Sequence, residues 1–94
     1  MTKNGVRETI KQELRKAGVE FHEIESKETE SVYYRIHLSR TTMLFRISDH
    51  ATSKDVSTLR FDYRTSADKI RRYVRNRIND AKRRELSAVL NSFR

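Results

Sequence analysis

The chain has no cysteine, no proline and only two glycines in 94 residues. Without cysteine there can be no disulfides and no thiolate metal sites. Folding then rests on packing alone, and the composition suits a reducing compartment, of which the cytoplasm is the simplest. Without proline nothing marks a linker, and no repeat or low-complexity segment interrupts the pattern, so residues 1–94 read as a single domain. No apolar run approaches a membrane span, and Met1-Thr2-Lys3-Asn4-Gly5 leads into an amphipathic pattern without the apolar core of a signal peptide. The expectation is a protein that does not enter a membrane. A chain this short buries about two-thirds of its unfolded surface, which does not favour a deep catalytic cleft.

Catalytic signatures are equally scarce. There is no Gly-rich phosphate loop and no nucleophile elbow. His22, His37 and His50, with Asp49, are the candidate metal ligands, and none has the close spacing of a zinc or non-haem iron site. Asp49, Asp55 and Asp62 form no recognisable constellation for Mg²⁺. Asp49-His50 fits better as a turn in which the Asp49 side chain bonds following backbone. These observations predict a non-enzymatic protein with no cofactor and no bound metal.

What the chain does have is positive charge, unevenly spread. Residues 1–30 carry six bases and seven acids, residues 31–65 six and three, and residues 66–94 nine and three, for a net charge of +8. Such a density along the C-terminal third is self-repulsive in the free protein, which points to a polyanionic partner that offsets the repulsion.

The apolar residues are periodic. Asn4 can cap a first helix in which Val6, Ile10 and Leu14 share a face, with Ala17 nearby and Gly18 as the C-terminal cap. From Val19 the period shortens to two: Val19 and Phe21 open a first strand, and the polar run from Glu25 to Ser31 supplies a turn. Val32, Tyr34, Ile36 and Leu38 then alternate with polar residues, as do Met43, Phe45 and Ile47, across a short connection at Ser39-Arg40-Thr41. This is the clearest hairpin in the chain. Leu59, Phe61 and Tyr63 repeat the pattern after a polar loop from Asp49 to Asp55. Thr65 with Asp68 resembles a capping box, and Ala67, Ile70, Val74, Ile78 and Ala81 make a helical stripe. Leu86, Val89, Leu90 and Phe93 lie about a quarter to a third of a turn off that stripe, so the long helix over 66–94 is expected to bend, to break, or to use its last turns for another contact. The order predicts an α+β domain in two layers, with a three- to four-stranded antiparallel sheet whose apolar face is covered by both helices.

Two candidate binding surfaces follow. On the long helix, Lys69, Arg71, Arg72, Arg75, Lys82, Arg83 and Arg84 lie off the apolar stripe, and Asp68, Asp80 and Glu85 are too few to neutralise them. Such a row can track a phosphate backbone. On the open face of the sheet, Tyr33, Arg35, Arg46 and Arg60, with His37, Ser48, Asp62 and Arg64, interleave cations with an aromatic ring that can stack a base. Each has a plain alternative as a solvated face. The arginines could also pair with Glu20, Glu23, Glu25, Glu28 or Glu30, within one molecule or across a dimer.

The helix, strands, helix order is similar to the double-stranded RNA-binding domain, which implies shape recognition of duplex RNA through the N-terminus of the second helix and two loops. Lys69, Arg71 and Arg72 approach that family's basic cluster, while its Gly, Pro and His loop has no counterpart. The central hairpin, Ser31-Val32-Tyr33-Tyr34-Arg35-Ile36 followed by Phe45-Arg46-Ile47-Ser48-Asp49-His50-Ala51, resembles small accessory proteins of Gram-positive phages and mobile elements, the company in which anti-CRISPR proteins occur. That resemblance implies action on a nucleoprotein and assigns no functional residue, because the shared strands read as structural.

The sequence thus predicts a basic binding protein for nucleic acid or for a host nucleoprotein such as a CRISPR effector complex. The alternatives are an inhibitor of a host nuclease, and an interaction module that forms a homodimer through Leu86, Val89, Leu90 and Phe93.

Overall fold

The structure is a computed structural model that describes residues 2–28, 30–49 and 58–92. In chain order it comprises α1 (Lys3–Lys16), β1 (Glu20–Glu25), β2 (Val32–His37), β3 (Thr42–Ile47), β4 (Leu59–Phe61) and α2 (Ala67–Asn91). The sheet order is β1-β2-β3-β4. Both helices pack on one face of it, and Val6, Ile10 and Leu14 from α1 meet Ile70, Val74 and Ile78 from α2 over Val32, Tyr34, Ile36, Phe45, Ile47 and Phe61. Each such buried side chain contributes about 1.5–3 kcal/mol of burial free energy. The two-layer α+β expectation holds.

One pairing differs. β1–β2 and β2–β3 are antiparallel, but β3 and β4 run parallel, with Phe45 opposite Leu59 and Ile47 opposite Phe61. The sheet is therefore mixed. A tight hairpin would force an antiparallel neighbour, whereas a parallel one needs a long connection that returns the chain to the starting end. Here the connection runs from Ser48 to Thr58, and most of it, including His50, Ala51 and Asp55, lies outside the described residues. The far ends of the two strands are tied directly: Ser48 N donates to Phe61 O at 2.9 Å, Arg60 Nη1 donates to Ser48 O at 2.8 Å, and Tyr63 N donates to Asp49 Oδ1 at 2.9 Å. Asp49 thus accepts from backbone beyond β4, while the turn expected at Asp49-His50 runs into residues outside the described ones.

The helix caps also differ in detail. Thr2, not Asn4, caps α1, its hydroxyl accepting from Gly5 N at 3.1 Å, which leaves Asn4 inside the first turn. Gly18 takes the left-handed conformation, φ +68°, that a helix C-cap favours. Ser66 caps α2 by accepting from Lys69 N, while Thr65 turns back to donate its hydroxyl proton to Asp62 Oδ1 at 3.0 Å. The expected Thr65–Asp68 box is replaced because Thr65 closes the preceding turn.

α2 neither bends into a second helix nor breaks; it is one helix of 25 residues. At 1.5 Å per residue it is about 37 Å long, against about 20 Å for a six-residue strand, so it outruns the sheet. Leu86 and Leu90 lie on this overhang, 59% and 58% exposed. No helix among the described residues is long and apolar enough to cross a membrane.

At the β1 edge a polar node holds α1 to the sheet. The Tyr34 hydroxyl donates to Glu23 Oε2 at 2.7 Å, and Arg7 donates to Glu23 Oε1 at 2.9 Å and to Glu25 at 3.3 Å. Burial pushes the Glu23 pKa up, but the hydrogen bonds from Arg7 and Tyr34 and the charges of Arg7 and Lys11 outweigh it and leave the carboxyl below its ordinary value. Burial, together with the bond to Glu23, raises the Tyr34 phenol pKa. The two shifts bound stability at opposite ends. Glu23 contributes above the unfolded carboxylate value, about 4.3, and the contribution is lost as pH falls through the lower folded value. Tyr34 contributes below about pH 10, and its contribution is lost above, where the unfolded phenol ionises and the folded one does not. Denaturant titrations from neutral to acidic pH should show a falling midpoint, and Glu23→Gln should flatten that fall; an unchanged pH profile in Glu23→Gln would remove the node from the account.

Candidate nucleic-acid interface

α2 is cationic on every side but the core, and the structure gives its flanks different tasks. The first flank faces α1. Glu13, only 4% exposed, sits between the helices, with Arg75 Nη2 at 3.5 Å from Oε2 and Arg71 Nε and Lys16 Nζ each at 3.9 Å from Oε1. Four residues along α1, the Ala17 carbonyl at the helix end accepts from Lys82 Nζ at 2.9 Å. The two helices therefore run in the same direction, and Lys82 places a cation on the negative end of the α1 dipole. Arg71, Arg75 and Lys82, expected to face a ligand, hold α2 against α1. Among the described residues none of the α2 arginines pairs with Glu20, Glu23, Glu25, Glu28 or Glu30, because Glu23 and Glu25 are engaged by Arg7.

The second flank points outward and carries Arg72 and Arg83, the latter 3.9 Å from Asp80. The third looks over β3 and β4 and carries Tyr73, Arg77 and Arg84. Tyr73 is 39% exposed, and Lys69 Nζ and the Arg72 guanidinium lie over its ring at 5.5 and 5.4 Å from the centroid. Among the described residues Lys69, Arg72, Arg77 and Arg84 have no acidic partner. The acids of α2 are already committed: Asp68 to Arg71, Asp80 to Arg83, and Glu85 to the β2–β3 turn, where its Oε1 accepts from Arg40 N at 2.8 Å and Thr41 N at 3.2 Å. The bond from the Arg40 amide is the main cause that lowers the Glu85 pKa.

The open face of the sheet offers less than its sequence suggests. Register aligns Ile24, Tyr33, Arg46 and Arg60 across the four strands, and His22, Arg35 and Leu44 across the first three. Arg46 is 7% exposed; it donates to the hydroxyls of Ser31 and Ser48 at 3.3 Å each and lies over the Tyr33 ring at 5.8 Å. Its guanidinium is therefore an internal group, Tyr33 is already engaged by it, and Arg60 is bonded to Ser48. Arg35 remains exposed. His22 and His37 meet edge to face at 5.1 Å between centroids, but no group of three possible metal ligands occurs among the described residues.

Tyr73 and Arg77 were not singled out by sequence reasoning, because Arg77 borders the apolar stripe when the helix is viewed alone. The available signal was the four- and seven-residue spacing of Tyr73, Arg77 and Arg84, which brings them to one side. Glu13 was also missed; its signal was an acid beside Ile10 and Leu14 on an otherwise apolar face.

Fold and surface define a class, a two-layer α+β domain that carries unpaired cations on the exposed flanks of its long helix. Comparison with known proteins adds no closer assignment: no family model, no curated protein and no solved structure matches the chain.

Because Arg71 and Arg75 serve a buried carboxylate, their joint replacement by alanine should cost about 1–3 kcal/mol of stability, the penalty of leaving such a group poorly satisfied. The same change at Arg72 and Arg83 should stay within about 0.5 kcal/mol. Equal effects on the denaturation midpoint would show that Glu13 does not depend on the α2 arginines.

Proposed function

We propose that this protein is a non-enzymatic binder of nucleic acid that engages the phosphate backbone through the cations of α2. The observation that carries the reading is the set Lys69, Arg72, Arg77 and Arg84, which has no acidic partner among the described residues; Lys69 and Arg72 lie over the exposed ring of Tyr73, and Arg77 and Arg84 line the groove beside β3. Cations that stay unpaired when a protein folds are available to replace the counterions condensed on a nucleic acid. Release of those counterions drives association without reading sequence. Arg83, loosely held by Asp80, and Arg35 on the sheet extend the positive surface, whereas Arg71, Arg75 and Lys82 contribute field but are anchored to α1.

The reading requires strong salt dependence. Binding to short single-stranded RNA, duplex RNA and duplex DNA, followed by fluorescence anisotropy across a salt series, should weaken steeply as salt rises. The triple variant Arg72→Ala, Arg77→Ala, Arg84→Ala should lower the slope of log K against log salt by about 2. Weak binding to all three nucleic acids would overturn the reading and move the partner to a protein or nucleoprotein surface, as expected of a phage-encoded inhibitor of a host nuclease such as a CRISPR effector.

A further inference from the structure

Between α2 and the first half of β3 the domain has a groove. Among the described residues β4 pairs with β3 from Phe45 onward, while α2 passes above Thr42, Met43 and Leu44. The space is about 780 Å³, with Arg77 and Arg84 on the helix side, Thr42 and Thr58 at the sheet side, and Met43 and Ala81 as half-buried apolar walls. That volume lies within the range of about 300–1,000 Å³ usual for small-ligand sites. Tyr73 stands one helical turn before Arg77 on the same flank.

We infer that this groove, with Tyr73 one helical turn away on the same flank of α2, takes an unstacked nucleotide, so that the favoured ligand is a single strand. The inference rests on the backbone-binding reading above and narrows its substrate class. Three features carry it. Arg77 and Arg84 are seven residues apart, about 10.5 Å along the helix, and neither has an acidic partner among the described residues, which suits phosphates on either side of a bound base. Asp80 lies on the groove wall between them; a carboxylate would repel an uninterrupted row of phosphates but accepts from the amino edge of a base. The apolar walls give faces on which a base can stack, and the half-exposed Tyr73 ring gives another once the exposed Lys69 and Arg72 that lie over it swing to phosphates; bases offer their faces only when they are out of a duplex. A duplex hides its base faces in the stack and offers phosphates and groove edges, for which the concavity and the ring have little use.

The test separates charge from shape. Ala81→Met narrows the groove and Tyr73→Leu removes the ring on an exposed helix position; both keep the charge. With unlabelled variants titrated into fluorescein-labelled single-stranded RNA and into blunt duplex RNA at one salt concentration, the wild-type protein should prefer the single strand. Each variant, shown by thermal unfolding to be folded, should lose about 5- to 100-fold on the single strand and little on the duplex. Repeated across a salt series, the same titrations should give an unchanged salt slope. Equal wild-type affinity for the two forms, or single-strand affinity indifferent to both substitutions, would overturn the groove while leaving the salt-sensitive backbone contact standing. No measurable binding to either form would overturn both.

Discussion

The burial of Glu13 between the two helices sets the orientation on which the surface chemistry depends. A carboxylate in that position must be compensated, and Arg71, Arg75 and Lys16 gather around it while Lys82 closes on the end of α1. Together with the Ile70, Val74 and Ile78 stripe, these contacts fix the rotation of α2 about its own axis. A helix with cations on three sides could present any of them. The clamp leaves Arg72, Arg77 and Arg84 as the outward charges. At the far end Glu85 caps the backbone of the β2–β3 turn, so the helix is held to the sheet by an acid that would otherwise have neutralised its own neighbours.

Stability and the positive surface thus draw on one supply of charge. α1 and β1 use their acids and bases on each other, through Arg7, Lys11, Glu23 and Tyr34, and α1 contributes Glu13 to the helix interface. The acids of α2 go to local partners and to the turn. Among the described residues the remaining positive charge lies on the flank over β3 and on the outward side, where Asp80 is the nearest acid of α2. A surface arranged this way projects a positive field at long range.

The parallel pairing of β4 matters to this arrangement. Among the described residues β4, with three residues, covers the second half of β3, and the groove lies beside the first half. A longer antiparallel strand in the same place would have paired with Thr42 to Leu44 and filled the space under Arg77 and Arg84. The overhanging turns of α2, with Leu86 and Leu90 exposed, follow from the same mismatch between a long helix and short strands.

Local pattern was enough to read much of this protein. The period-two runs at Val32–Ile36 and Met43–Ile47, the period-3.6 stripes of Val6, Ile10 and Leu14 and of Ile70, Val74 and Ile78, and the left-handed Gly18 each depend on residues close in the chain, so the α+β order and the core were legible. The excess charge of the C-terminal helix was legible too, since it is a matter of composition. The parallel sense of β4 was decided by tertiary structure, because strand direction depends on where the connection returns and not on alternation within the strand. So was the division of the arginines: Arg46 became internal through Ser31 and Ser48, Arg71 and Arg75 were drawn to Glu13, and Arg77 was left at a groove. Charges are assigned by distances between elements far apart in sequence, and those distances exist only after the helices and sheet have packed.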